Sequence, residues 1–76
     1  MYYSIERELT HANILHLVGE HNSSHVIHLD KVWSINSKPD SEYSRMTFYA
    51  TSINPLVLNV KIDDAEKIID RFSGLK

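Results

Sequence analysis

Three features of the sequence predict an α+β fold, a small antiparallel β-meander of four to five strands with one C-terminal α-helix packed on one face. The hydrophobic period switches from two over Leu56–Ile62 to about 3.6 over Ala65–Phe72. Short apolar runs earlier in the chain are separated by clusters of turn-forming residues. No spacer is long enough for the crossover that parallel pairing demands, so sequential strands pair as neighbours.

In chain order, Tyr2–Thr10 admits two readings. Tyr3, Ile5 and Leu9 suit a strand, while Glu6–Leu9 suits one helical turn. Asn13–Gly19 and His25–Leu29 are strand-like and flank the turn cluster Glu20–Ser24, which predicts a hairpin. Leu29, Val32 and Ile35 are spaced by three, which predicts a bend or bulge at Asp30–Lys31 before the strand resumes. Trp33 and Ile35 are expected to join the core. Ser37–Glu42 reads as a loop and Ser44–Thr51 as a strand, with Met46, Phe48 and Ala50 on one face and Tyr43, Arg45, Thr47, Tyr49 and Thr51 on the other. Ser52–Pro55 turns the chain, and Leu56, Leu58, Val60 and Ile62 then alternate with Val57, Asn59 and Lys61.

The helix follows from its ends and its stripe. Asp63 and Glu66 stand at the spacing of a capping box, each side chain positioned to accept the other's backbone N–H. Ala65, Ile68, Ile69 and Phe72 share one face, while Asp64, Lys67, Asp70 and Arg71 are left to solvent. Gly74 is placed for a left-handed C′ residue, with Leu75 folding back on Ile69. A helix of about three turns is marginal alone, so it must dock on the sheet.

One face of the sheet then gathers Leu15, Leu17, Ile27, Leu29, Met46, Phe48, Ala50, Leu56, Leu58, Val60 and Ile62 as the core. The reverse face gathers Ile14, His16, Val18, Val26, His28, Tyr43, Arg45, Thr47, Tyr49, Val57, Asn59 and Lys61. A solvated antiparallel face tends toward charged and hydroxyl side chains. Four β-branched aliphatics with two tyrosines therefore point to a surface that another protein or a second copy covers. Tyr43, Arg45 and Tyr49 are types enriched at binding hot spots, and with Val57, Val18 and Val26 they form the candidate partner-binding set. An unpaired edge strand is a second route to a partner, by β-addition.

Composition narrows the classes. Seventy-six residues suffice for one domain spanning residues 1–76, and a 42% hydrophobic content is ordinary for a globular chain. A net charge of −2 lacks the basic footprint of a nucleic-acid binder. With no cysteine there is neither a disulfide framework nor a thiolate metal site. Met1–Glu8 is charged where a signal peptide needs an apolar core, and no apolar run approaches a membrane span, which makes the cytoplasm the expected setting.

Five histidines stand out, at His11, His16, His21, His25 and His28. A three-residue hairpin loop, His21–Ser23, would oppose His16 to His28, and a wider register would oppose His21 to His25. Such pairs are weak metal candidates, with Glu20 and Asp30 as further ligands, and they would repel one another when protonated near about pH 6. The spacing matches no zincin pattern, so no metal or other cofactor is expected. Ser23 or Ser24 beside a histidine lacks an elbow and an oxyanion donor set, and with only Gly19 and Gly74 there is no phosphate-cradling loop. The chain therefore reads as non-catalytic: a protein–protein interaction module, a self-associating adaptor, regulator or inhibitor. A single-strand nucleic-acid module on the same face, built on Tyr43, Arg45, Tyr49 and Lys61, is the alternative, and a histidine-cluster metal protein the third.

Overall fold

The computed structural model describes residues 2–6, 13–51 and 54–75. It has an α+β fold with six strands and one helix: β1 Ser4–Ile5, β2 Ile14–Val18, β3 Ser24–His28, β4 Val32–Pro39, β5 Tyr43–Ala50, β6 Leu56–Lys61 and α1 Ile62–Gly74. The strands form two antiparallel sheets of three rather than one meander, an N-terminal sheet β1-β2-β3 and a C-terminal sheet β4-β5-β6. The opening stretch contributes the two-residue β1, and the expectation for Leu9 lies outside the described residues.

The break between the sheets falls where the three-residue spacing of Leu29 and Val32 predicts a bend. Leu29–Lys31 is a single 3₁₀ turn, whose period of three sends both Leu29 and Val32 into the interior. The turn is anchored by the Leu29 N–H donating to the Asn13 carbonyl at 2.7 Å. It acts as a corner, so β3 pairs with β2 while β4 pairs with β5. The interval from Val32 to Ile35 has a different cause. Val32 pairs with Ala50 and Ser34 with Tyr49, which leaves Trp33 as the extra residue of a β-bulge. The bulge resets the alternation: Val32 is buried, Ile35 packs half-buried on the core, and Trp33 is turned outward at 60% exposure. The expected core place of Trp33 is thus corrected by one bulged residue.

The N-terminus joins the two sheets. The Tyr3 N–H donates to the Asn59 carbonyl at 2.7 Å and the Lys61 N–H to the Tyr3 carbonyl at 3.0 Å, a parallel bridge beside β6. Two residues later Ile5 pairs with Leu17 in β2. Both sheets turn their inner faces to one core of Leu15, Leu17, Ile27, Leu29, Val32, Met46, Phe48, Leu58 and Val60, completed by Ala65 and Ile68 of the helix. Full burial of one such aliphatic side chain stabilises by about 1.5–3 kcal/mol, so the alternating residues tie the sheets to each other. Ala50 and Leu56 are half-buried at its margin, while Ile62, expected to continue the strand, is a half-buried helix residue. Ser44, the one buried polar residue among those described, is satisfied by the Ser37 hydroxyl at 2.5 Å.

The helix differs from its predicted ends. It starts at Ile62, its N-cap is Lys61, and no side chain caps it. The second aspartate has a tertiary role instead: Asp64 Oδ2 accepts the Ile5 N–H at 3.0 Å and pins β1 to the helix. Gly74 is the last helical residue, no described glycine has positive φ, and Leu75 stays right-handed with its N–H donating to the Phe72 carbonyl at 3.1 Å. Ile69 and Leu75 are exposed, so the docked stripe narrows to Ala65, Ile68 and the half-buried Phe72. The segment Ser37–Pro39 belongs to β4, leaving Asp40–Glu42 as the turn, with the Asp40 N–H donating to the Tyr43 carbonyl at 2.7 Å. Proline is tolerated at 39 because it ends a strand at the sheet edge. No helix among the described residues is long and apolar enough to cross a membrane.

Candidate interaction surface

With two sheets around one core there are two outer faces, and they divide the predicted partner-binding set. On β5, residues 43, 45, 47 and 49 alternate outward because Ser44, Met46 and Phe48 are buried. The pairing then aligns Lys38 with Arg45 and Asn59, Asn36 with Thr47 and Val57, Ser34 with Tyr49, and Tyr43 with Lys61 across the outer face of the C-terminal sheet. Tyr43, Arg45, Tyr49 and Val57 therefore share one surface. Val18 and Val26 lie on the outer face of the N-terminal sheet, in the rows Ser4–Val18–Ser24 and His16–Val26.

Two aromatic contacts extend the C-terminal face beyond the expected set. Trp33, displaced by the bulge, lies with its ring centroid 5.6 Å from that of Tyr49 at an interplanar angle of 37°. Tyr2 stacks on Tyr43 at 4.9 Å and 24°, carried there by the Tyr3 bridge. Val57 is 53% exposed on the same face. Trp33 and Lys38 were not among the candidates because the first was assigned to the core and the second to a loop. The available signal was the triplet spacing of Val32 and Ile35: two inward residues three apart in a strand require a bulge, and the intervening pair must face outward.

Charge is segregated on this surface. Lys38, Arg45 and Lys61 are exposed along its end nearer the 40–42 turn, and the strand positions of the face hold no carboxylate. The nearest acids by position, Asp40 and Glu42, lie on the rim in that turn, where Asp40 Oδ1 accepts the Ser41 N–H at 2.8 Å. Among the described residues no ion pair joins the three cations to a carboxylate. Four of the chain's ten acids, Asp63, Asp64, Glu66 and Asp70, lie instead on the helix.

The histidines do not converge. The hairpin loop is five residues, Gly19–Ser23, closed by the Gly19 N–H donating to the Ser23 carbonyl at 2.8 Å, and His21 and Asn22 adopt left-handed backbone at φ 56° and 62°. That longer loop shifts the register, so His16 faces Val26 and His28 faces Ile14, and neither expected histidine pair forms. His16 instead pairs with Glu6, and His25 lies opposite Leu17 with its ring edge-on to Tyr3 at 5.3 Å. No group of three or more histidine or acidic side chains able to hold a metal occurs among the described residues, and His11 lies outside them. Beside the free edge of β3, Val26, Ile27, His28, Val32, Phe48 and Leu56 line an open apolar cleft of about 200 Å³. Lys31 and Ala50 complete its lining, which includes no carboxylate residue. Set against known proteins, the chain matches no family model, no curated protein and no solved structure at a significant level.

Proposed function

We propose that this chain is a non-catalytic protein–protein interaction module, a self-associating adaptor, regulator or inhibitor of the cytoplasm, whose contact surface is the outer face of the β4-β5-β6 sheet. The observation that carries the reading is Trp33: a bulge holds the only tryptophan of the chain at 60% exposure, beside Tyr49, on a sheet face that also carries the exposed Val57. Large rings on a rigid sheet bring much contact area at low entropic cost, which is why tryptophan, tyrosine and arginine dominate binding hot spots. Two strands of eight residues and one of six supply that rigidity.

Sedimentation from micromolar to millimolar concentration, with Trp33 emission followed in parallel, tests the reading. The expected result is a concentration-dependent rise in mass with a blue-shifted emission, both lost in Tyr49→Glu. A chain that stays monomeric with constant emission, and that as bait retains no protein that its Tyr49→Glu variant loses, overturns it. Cell fractionation checks the cytoplasmic setting.

A further inference from the structure

The segregation of charge narrows the kind of partner, granted the interaction surface proposed above. Three of the chain's eight cations, Lys38, Arg45 and Lys61, stand at one end of a face without carboxylates, although the chain as a whole is net negative. The other end is apolar and aromatic, with Trp33, Tyr49 and Val57. Arg45 and Tyr49 lie on the same strand and the same face four residues apart, so the two ends are separated by about 13 Å. A cationic row that no carboxylate pairs with among the described residues rewards an anionic ligand and costs a cationic one several-fold in affinity.

We infer that the partner segment is an extended, acidic stretch of protein: paired carboxylates on Lys38, Arg45 and Lys61, and one large apolar side chain four residues along, on Trp33 and Tyr49. The spacing matches because an extended ligand advances at the same rise per residue as the strand beneath it. A nucleic-acid strand fits less well, since it repeats base and phosphate at every nucleotide and calls for rings interleaved with cations. Here the ring beside the cations, Tyr43, already stacks on Tyr2, while the Trp33–Tyr49 pair has no lysine or arginine in its cross-strand row. A second copy offers its helix acids Asp63, Glu66 and Asp70 at helical rather than extended spacing, and its turn acids Asp40 and Glu42 lie at the rim beside its own cations.

The test titrates isotope-labelled full chain with four probes: a capped peptide with two aspartates at alternate positions and a leucine four positions after the second, the same peptide with lysines for the aspartates, a version with the leucine two positions after the second, and oligo(dT). The expected result is saturable amide and indole shifts at Arg45, Tyr49 and Trp33 with the first peptide, weaker binding of the shortened one, and none of the lysine peptide. Affinity should fall with added salt, by about fivefold in Arg45→Glu, and by about tenfold in Trp33→Ala. Both positions are exposed, and unchanged amide spectra away from the face will show that the variants fold. Equal binding of the acidic and lysine peptides, or tighter binding of oligo(dT), overturns the acidic partner. Self-association through the face with no peptide binding also overturns it, while leaving the interaction surface standing. Neither peptide binding nor association, with no protein retained by the bait that its Tyr49→Glu variant loses, sinks both.

Discussion

The outer face of the C-terminal sheet presents Trp33, Tyr49 and Val57 beside three cations, whereas that of the N-terminal sheet presents Ile14, Val26 and two histidines, one of them paired with Glu6. Exposed aliphatic surface does not separate them, since Val26 at 58% is as open as Val57 at 53%. The difference lies in strand length, ring content and charge. Strands of eight, eight and six residues make a broad platform, while strands of two, five and five do not. On the N-terminal face Glu6 pairs with His16, whereas among the described residues no ion pair joins Lys38, Arg45 or Lys61 to a carboxylate. Apolar exposure alone therefore does not distinguish the two faces, whereas stacked rings and charge of one sign do.

The contrast between faces rests on a core that the sheets share, and truncating it carries the largest expected effect. Leu17→Ala and Met46→Ala, one from each inner face, should each cost about 2–5 kcal/mol in denaturant unfolding and preserve a single transition. Two separable melts would show that the sheets are independent layers. Next in size is the tether between them. Asp64→Ala removes the acceptor of the Ile5 N–H and should cost about 1–3 kcal/mol, with hydrogen exchange accelerated at Ile5 while β4–β5 amides stay protected. Uniform acceleration would mean that the bond supports the whole fold.

The faces themselves are compared by matched charge insertions. Trp33→Glu and Val26→Glu both alter exposed side chains and should shift stability by less than about 0.5 kcal/mol, yet only the first should abolish self-association in sedimentation. Loss of association in Val26→Glu alone would move the contact surface to the N-terminal sheet. The smallest effect belongs to the surface pair: Glu6→Gln should cost at most about 1 kcal/mol, diminishing with salt, as read by thermal melts. A larger loss would mark the pair as a structural clamp on β1.

Local periodicity made much of this legible. The alternation of Leu15 with Leu17, Met46 with Phe48 and Leu58 with Val60 named the inward residues, and the spacing of Ala65, Ile68, Ile69 and Phe72 named the docked stripe except that Ile69 is exposed. These depend only on strand and helix periods, which a short window contains. The grouping of Tyr43, Arg45 and Tyr49 on one face follows from the same period. Other features depend on partners distant in sequence: the five-residue hairpin loop that separated the histidines, the uncapped helix start, and the use of Asp64 by Ile5 rather than by its own helix.

By itself, then, the sequence determined an α+β chain with most of its inward strand residues and its tail helix, because burial on a pleat or a helix imprints a repeat on neighbouring residues. Only the tertiary structure decided that the pleated layer breaks into two sheets at Leu29–Lys31, and that Trp33 faces out rather than in. The reason is parity. A single bulged residue or 3₁₀ corner reverses which side every following side chain takes, and its position is selected by the strands it must pair with across the fold.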